Sequence, residues 1–186
     1  VFYIHNPEQQ LDALNHQMFA AVMRDVITEM ENQVDSGKIA SYGFATWNGF
    51  RVFAAHKSHL SLTELVRFAR DIAGENHHFR TVQLPVNLAM TEAVRAPTQS
   101  KSGKNMSLLD IAREENISVI ASASLMQSQL TQNLPAAVGA LFPAAATDAQ
   151  RAISFVRSLP VASALVGMKT REHLKENLAA ALHATG

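Results

Sequence analysis

The sequence alternates five times between short runs that contain no Asp, Glu, Lys or Arg and longer amphipathic stretches. The runs are rich in β-branched, aromatic and small residues, and they occupy residues 1–5, 39–47, 81–88, 118–124 and 161–168. Runs of this length and composition are typical of strands that are buried on both faces of a parallel sheet. Because strands that alternate with helices form consecutive βα units, we predict an α/β fold with about five parallel strand–helix units.

The amphipathic stretches carry the start and stop signals of helices. Apolar residues recur at steps of three and four from Leu11 to Val34, and Gly37 is placed to end this first helix. Polar capping residues begin the later helices, and these are Ser61, Ser107, Thr147 and Thr170. The last helix carries one apolar face, formed by Leu174, Leu178 and Leu182.

Two connections between these elements are predicted to be exposed. Residues 97–104 combine Pro, Ser, Gly and Lys, a composition typical of surface loops. His77 and His78 fall between the second helix and the third strand, where we expect a solvated loop. Pro85 interrupts the third strand and predicts a strand end or a bulge at that point.

Length and composition limit the function classes. A chain of 186 residues is long enough for one domain with its own core, so we predict a single domain over residues 1–186. Sixteen basic residues balance sixteen acidic ones without a basic cluster, and no apolar run approaches the roughly 18 residues of a membrane span. We therefore expect no nucleic-acid partner and no membrane contact.

The chain contains no cysteine, which excludes disulfides and cysteine metal sites and weakly favours a reducing compartment, so a cytoplasmic location is expected. No His or carboxylate set has the spacing of a zinc site, and no metal is predicted. The first residues lack the pattern of a signal peptide and begin inside a predicted strand. We expect that this strand has been cut from its context.

Polar residues follow the predicted strands, where the carboxyl ends of parallel strands share one edge of a sheet. These residues are His5, Thr46, Gln83, Ser122 or Ser124, and Lys169. No G-x-G-x-x-G turn follows a strand, so a Rossmann dinucleotide site has no support. The pattern leaves open a doubly wound sheet and part of an eight-fold barrel, whose rim holds active sites at these strand ends.

Two of these strand ends suit particular chemistry. His5 is of the one residue type that exchanges protons near neutral pH, although a lone histidine can also be a packing residue. Gly167 and Lys169 precede the helix capped by Thr170, whose amino end suits a phosphate, although an ordinary capped helix has the same pattern. The run "ASASLMQS" lacks the glycines of a nucleophile elbow.

The segments "VFYIHNPE", "YGFATWNG", "VQLPVNL", "ASASLMQSQLT" and "ALVGMKTREHLKENL" together resemble the aldo-keto reductases in order and spacing. They are similar to the fourth to eighth strand–helix units of that family's (β/α)8 barrel. The resemblance therefore implies a partial (β/α)8 TIM barrel, with residues 1–186 as its C-terminal portion.

The resemblance also implies roles for individual residues. His5 matches the catalytic histidine that polarises the substrate carbonyl, while a nicotinamide delivers hydride and a tyrosine donates the proton. Gln83 matches the glutamine that holds the nicotinamide carboxamide, and Thr46 stands where the family usually has asparagine. The cofactor loop after the seventh strand corresponds to residues 122–127, with Ser122, Ala123, Leu125 and Gln127 as the matching positions.

The last motif of the resemblance concerns the adenosine half of the cofactor. Gly167 and Lys169 match the positions that hold its phosphate, which favours NADPH over NADH. His173 stands where many relatives have glutamine or arginine, while Glu176 and Asn177 match the pair that meets the adenine.

The function implied is that of an NADPH-dependent oxidoreductase that reduces an aldehyde or ketone to an alcohol, with a small carbonyl substrate as partner. The family's catalytic aspartate, tyrosine and lysine lie on its first three strands, and Tyr3 and Tyr42 lie inside strands here. We therefore expect the chain alone to be inactive and to need an N-terminal half, with a homo-oligomer possible. Two alternatives remain, a nonenzymatic nucleotide-binding regulatory subunit and an inactive truncated fragment.

Overall fold

The computed structural model describes residues 1–182. The chain consists of two compact units, the first formed by Val1–Leu84 with Glu92–Val119 and the second by Pro85–Thr91 with the chain from Ile120 onward. The prediction of a single domain over residues 1–186 stays a prediction.

The first unit is built on three parallel strands. These are β1 (Phe2–His5), β2 (Tyr42–Ala45) and β3 (Phe79–Pro85), and β2 pairs with both of the others. Its helices are α1 (His16–Asp35), α2 (Leu62–Ala73), the short α3 (Glu92–Arg95) and α4 (Leu108–Glu114), with a hairpin of β4 (Gln99–Lys101) and β5 (Lys104–Met106). Single 3-10 turns cover Pro7–Asp12 and Gly74–Asn76.

The second unit holds the parallel pair of β6 (Ser118–Ser122), which starts in the first unit, and β7 (Ser163–Ala164). Its helices are α5 (Ala136–Leu141), α6 (Asp148–Arg157) and α7 (Arg171–Leu182). The predicted fold class, parallel strands that alternate with helices, is confirmed in both units. The fifth predicted strand is shorter than residues 161–168, because only two residues make ladder contacts.

Aromatic side chains form the centre of the core in the first unit. Tyr42, Phe44 and Phe79 are fully buried. The Phe79 ring stacks on Tyr42 with centroids 5.9 Å apart and meets Phe44 edge-on at 5.0 Å. Consecutive residues of a strand point to opposite faces of the sheet. Tyr42 and Phe44 share one face of β2, and Gly43 and Ala45 share the other. All four are buried, which confirms that this strand is covered on both sides.

The pairing of β2 with β3 is irregular at one point. Tyr42 pairs with Phe79 while Gly43 pairs with Thr81, so one residue of β3 bulges out of the ladder. A Cβ atom at Gly43 would lie 2.2 Å from Thr81 Oγ1 and 2.3 Å from Thr81 O. The close approach of the two backbones therefore requires glycine at this position.

The four predicted helix caps are present. In each, the side-chain oxygen of the capping residue accepts a hydrogen bond of 3.2 Å from the backbone N–H three residues later, and the capping residues are Ser61, Ser107, Thr147 and Thr170. The first helix begins later than predicted. The sequence pattern starts it at Leu11, whereas α1 begins at His16 after an Asn15 cap. The apolar residue Leu11 instead belongs to the preceding 3-10 turn, where it is buried.

Residues 97–104 are largely exposed, as predicted, but they are not an irregular loop, and Thr98 and Gln99 are buried. The segment forms most of the β4–β5 hairpin, and Gln99 is 1% exposed. Its Oε1 accepts from Leu62 N at 2.9 Å, and its Nε2 donates to Phe50 O and Leu60 O at 3.2 and 3.1 Å. A polar side chain is buried here because all of its hydrogen-bonding capacity meets backbone partners.

The prediction of a solvated connection at His77 and His78 was wrong. His77 is 3% exposed, and burial followed by the positive charge of Arg80 lowers its pKa. The backbone N of His78 donates to Glu31 Oε1 at 2.8 Å, and its Nδ1 lies 2.7 Å from Glu31 Oε2. The connection is thus fixed to α1.

Two further features concern helices. The apolar face predicted for α7 is largely open, since Leu174, Leu178 and Leu182 are 42%, 55% and 86% exposed. Among residues 1–182, no helix has both the length and the apolar character needed to cross a membrane.

Candidate functional site

In the first unit, the carboxyl ends of the three strands lie level with one another. His5 pairs with Ala45, and Ala45 pairs with Gln83. Beyond these pairs, Asn6 N donates to Ala45 O at 2.6 Å and Thr46 N donates to Gln83 O at 2.8 Å. The structure therefore brings the predicted residues His5, Thr46 and Gln83 to one edge of this sheet.

The side chains at this edge have free hydrogen-bonding capacity. His5 is exposed and Gln83 is half-buried, and neither side chain makes a hydrogen bond within residues 1–182. Thr46 is 4% exposed, and its Oγ1 is buried without a hydrogen-bond partner in that part of the chain. An unpaired buried hydroxyl is costly, so this atom is suited to a polar group of a ligand.

Glu8 supports this edge and was missed by the sequence analysis. It is 5% exposed, and its Oε1 accepts hydrogen bonds from the backbone N–H groups of Trp47, Asn48 and Gly49 at 2.8, 3.1 and 3.4 Å. One carboxylate oxygen thus fixes the loop that directly follows Thr46. The only signal for Glu8 in the sequence is its position, three residues after His5. Most acidic residues are exposed to solvent, so this position alone does not predict a buried carboxylate.

The second unit contains a cleft of about 980 Å³. Its walls are residues 123–128, after β6, and residues 164–169, around and after β7, with His173 of α7. The predicted residues that line this cleft are Ala123, Leu125, Gln127, Gly167, Lys169 and His173. Ser122, Glu176 and Asn177 do not line it.

Residues 123–128 form a tightly held loop with unusual backbone angles. Ala123, Met126, Gln127 and Ser128 all have positive φ, between 46° and 70°. Such left-handed conformations are costly for residues other than glycine and occur at ligand-binding segments. Asn87 holds the start of the loop, because its buried Nδ2 donates to Ala123 O at 2.9 Å.

Ser124 of the same loop also belongs to the candidate site. It is 1% exposed, lines the cleft, and has an Oγ that is buried without a partner among residues 1–182. Its signal in the sequence is its position, as one of the two serines at the end of the fourth predicted strand.

The amino end of α7 forms the opposite wall. Thr170 Oγ1 accepts from His173 N, and the backbone N of Lys169 donates to His173 Nδ1 at 3.4 Å. The side chains of Lys169 and Arg171 are exposed and form no ion pair within the described part of the chain. A Cβ at Gly167 would meet no atom within 4 Å, so the backbone there is open to the cleft. The free amides, helix dipole and two cations together suit an anion.

Glu176 and Asn177 have other surroundings. The Glu176 carboxylate accepts a hydrogen bond from Thr147 Oγ1, and its backbone O accepts from Gln150 Nε2 at 3.4 Å. Asn177 lines a neighbouring groove of about 430 Å³, and its Nδ2 is buried without a partner in residues 1–182. The structure therefore separates the two from the cleft in which the other predicted positions meet.

Tyr42 is excluded from a role at the strand ends. It is the first residue of β2, at the end opposite to Thr46, and its hydroxyl donates to Glu31 Oε1 at 2.8 Å. Burial, and then the Glu31 carboxylate, raise the pKa of Tyr42 far above its usual value. Burial alone would raise the pKa of Glu31, but the hydrogen bonds from His78 and Tyr42 outweigh it and hold that pKa below its usual value.

Metal ligands are not clustered in the described residues. Between Val1 and Leu182, no three His, Cys, Asp or Glu side chains lie together in a way that could hold a metal ion.

No protein-family model matches the sequence, and no curated protein matches it. Solved structures of aldo-keto reductases are nevertheless similar in fold. The aldo-keto reductase from Klebsiella pneumoniae in complex with NADPH matches 88% of the chain with a TM-score of 0.58 and 19% identity. A thermostable aldo-keto reductase in complex with the inhibitor epalrestat matches 87% with a TM-score of 0.57 and 18% identity.

The glycerol dehydrogenase from Gluconobacter oxydans matches 99% of the chain with a TM-score of 0.55 and 15% identity. The chain spans 50%, 50% and 59% of the lengths of these three proteins, in the order given. The matches agree with the predicted partial (β/α)8 TIM barrel, and the chain therefore shares its fold with about half of an aldo-keto reductase.

Proposed function

We propose that this chain is the cofactor-binding portion of an aldo-keto reductase, an NADPH-dependent oxidoreductase that reduces an aldehyde or ketone to an alcohol. The observation that carries the proposal is the 980 Å³ cleft, in which the left-handed loop and the amino end of α7 meet. The resemblance assigns both of these segments to the cofactor.

The residues present fit such a cofactor. Thr46 Oγ1, Ser124 Oγ and Asn177 Nδ2 are among the buried polar atoms that lack hydrogen-bond partners within residues 1–182. Each belongs to a position or segment that the resemblance assigns to the cofactor. Lys169 would hold the 2′-phosphate that distinguishes NADPH from NADH, with the open backbone at Gly167 beside it.

His5 would act on the substrate. A bound nicotinamide would supply hydride to the carbonyl carbon, and the alcohol oxygen would then need a proton. His5 is exposed at the end of β1 with both ring nitrogens unengaged within residues 1–182, so it is available to donate a hydrogen bond to the carbonyl oxygen. The proton donor would be a group other than Tyr42, whose hydroxyl is committed to Glu31.

The test is calorimetric titration of the chain with 2′,5′-ADP, which carries the adenosine half and the 2′-phosphate. We expect saturable binding that Lys169→Ala weakens about tenfold, because one charge-assisted phosphate contact is lost. Lys175→Ala is the matched control, because Lys175 is an exposed lysine of α7, the helix that begins just after Lys169, and this change should leave the affinity unchanged. No saturable binding, or equal losses in both variants, would remove the cofactor role.

The reductase activity is tested in the whole protein by the loss of NADPH absorbance with an aldehyde. Turnover with a KM for NADPH that rises in Lys169→Ala supports a reductase. NADPH binding without turnover would overturn the enzymatic part of the proposal and identify a nonenzymatic nucleotide-binding subunit.

A further inference from the structure

A cavity of about 410 Å³ lies in the first unit and shares no residue with the proposed cofactor site. Its walls are four residues of α1, the last two residues of α2, and Asn76 and His78 from the connection to β3. His78 directly precedes β3, and Glu31 bonds to Tyr42, the first residue of β2, so the cavity lies at the amino end of these strands. Its volume is within the roughly 300–1,000 Å³ of small-molecule sites. We call it the Glu31 pocket.

A histidine–carboxylate pair fixes one wall of the Glu31 pocket. His78 Nδ1 lies 2.7 Å from Glu31 Oε2, and Glu31 Oε1 accepts from His78 N and from the Tyr42 hydroxyl. Burial opposes ionisation, but these hydrogen bonds hold the pKa of Glu31 below its usual value, so this side chain is an anion at neutral pH. A carboxylate only accepts, so Nδ1 carries the proton and Nε2 of the neutral imidazole is an acceptor. Nε2 has no partner within residues 1–182, and the His78 side chain is 37% exposed, so this acceptor is accessible.

The other polar side chains of the wall are also accessible. Asn32, Asp35 and Asn76 are exposed, and their side chains form no hydrogen bond or ion pair within residues 1–182. Asp35 comes four residues after Glu31, so both carboxylates lie on the same face of α1. The last two residues of α2, Ile72 and Ala73, add a small apolar surface. The pocket thus combines several free acceptors with room for a short carbon chain.

The electrostatics of the pocket favour a cation. Among residues 1–182, no Lys or Arg lines it. Both α1, which ends at Asp35, and α2, which ends at Ala73, end at its wall, so the negative ends of two helix dipoles meet there. The arginines of these helices are ion-paired with other residues, and the pairs are Arg24–Asp71 at 2.6 Å, Arg67–Glu64 at 3.2 Å and Arg70–Glu115 at 2.8 Å. The carboxylates of the pocket are therefore left without a basic partner other than His78.

We infer that the Glu31 pocket binds a small aliphatic amine as its ammonium ion. The ammonium group donates hydrogen bonds to His78 Nε2 and to the Asp35 carboxylate, and Glu31 balances part of its charge. The carbon chain packs on the apolar end of α2. A metal ion fits less well, because in residues 1–182 no three His, Cys, Asp or Glu side chains lie together in a way that could hold one. The inference goes beyond the proposed function and requires neither cofactor nor carbonyl substrate.

The test is calorimetric titration of the chain with butylamine in the absence of any nucleotide, so that its result is independent of the cofactor proposal. We expect saturable binding in the millimolar range, because ion pairs that are open to solvent contribute little each. Butanol has the same carbon chain without the charge and should not saturate the chain.

Asp35→Asn removes one charge of the wall. It should weaken butylamine binding about two- to fivefold, the effect of losing one exposed ion pair. Asp25→Asn is the matched control, because Asp25 is an exposed carboxylate of α1 that does not line the pocket, and it should leave the affinity unchanged.

Asn76→Lys places a cation in the wall and should weaken butylamine binding about tenfold by repulsion. Asn105→Lys makes the same change at an exposed position of β5 and should leave the affinity unchanged. Neither Asp35 nor Asn76 makes a side-chain hydrogen bond within residues 1–182, so we expect both pocket variants to fold. Absence of saturation by butylamine, equal saturation by butanol, or unchanged affinity in both pocket variants would overturn the inference.

Discussion

Replacement of Tyr42 by Phe isolates one buried hydrogen bond of the first unit. The change keeps the ring, which is fully buried and stacked on Phe79, and removes only the hydroxyl that donates to Glu31 Oε1 at 2.8 Å. A hydrogen bond to a charged group contributes about 1.5–3 kcal/mol to the free energy of unfolding. Because Oε1 keeps its bond from His78 N, we expect the lower end, about 1.5 kcal/mol.

The assay is urea unfolding followed by the fluorescence of Trp47, which belongs to the same unit as Tyr42. With a slope of about 2 kcal/mol/M, the midpoint should fall by about 0.7 M. Tyr3→Phe is the matched control, since the Tyr3 hydroxyl makes no hydrogen bond within residues 1–182, and it should change the free energy of unfolding by less than about 0.5 kcal/mol.

The pH dependence has a definite sign. The folded-state pKa of Glu31 is held below its usual value of 4.5, so its interactions stabilise the fold above that pH and are lost as the pH falls through the folded-state pKa. The difference between Tyr42→Phe and the parent chain should therefore be largest near neutrality and shrink in acid. Equal midpoints for the two Tyr variants at pH 7, or a difference that does not shrink in acid, would refute the assignment.

Two further predictions concern the backbone. Gly43→Ala places a Cβ within 2.3 Å of two Thr81 oxygen atoms and should abolish cooperative unfolding of the first unit, whereas Gly139→Ala, whose Cβ meets its nearest atom at 3.6 Å, should not. Asn87→Ala removes the bond to Ala123 O together with the two bonds that Asn87 Oδ1 accepts from Ala89 N and Met90 N, and it should lower the free energy of unfolding by about 1–3 kcal/mol, measured by urea denaturation. An unchanged midpoint in the Asn87 variant would show that the bond to Ala123 O does not hold the loop.

The features that could be predicted from the sequence depend on neighbouring residues. The caps at Ser61 and Thr147 each bond to an N–H three positions later, so a short window contains the whole interaction. The strand around Phe44 could also be predicted from a short window, because a run without charged residues is typical of a strand that is buried on both faces. Pro85 was expected to end or interrupt a strand, and β3 does end there.

The features that were missed depend on partners far away in the sequence. Glu8 bonds to N–H groups 39 to 41 residues later, and His78 meets Glu31 across 47 residues. Gln99 is buried because Leu62, Phe50 and Leu60 present backbone groups to it. The sequence around a polar side chain that is satisfied by such distant partners looks the same as the sequence around one in solvent. Local reasoning therefore placed His78 and Gln99 in exposed segments and gave Glu8 no role.

The same limit explains the uneven result for the cofactor residues. Gly167, Lys169 and His173 occupy one short segment, and all three line the cleft. Glu176 continues that helix, but its carboxylate turns to Thr147 of another helix. The resemblance implies a role for each of these positions. The direction of the Glu176 side chain, however, depends on how α7 packs against α6, which the sequence does not show.

The four left-handed residues of the 123–128 loop, which are Ala123, Met126, Gln127 and Ser128, also bear on how such a protein responds to selection. Glycine or asparagine at these positions would relieve the backbone penalty, so a screen for heat tolerance alone would accumulate these substitutions. Each would also free the loop to leave the shape that forms the cleft wall. Directed evolution towards thermostability would therefore erode the cleft first, unless ligand binding were selected at the same time.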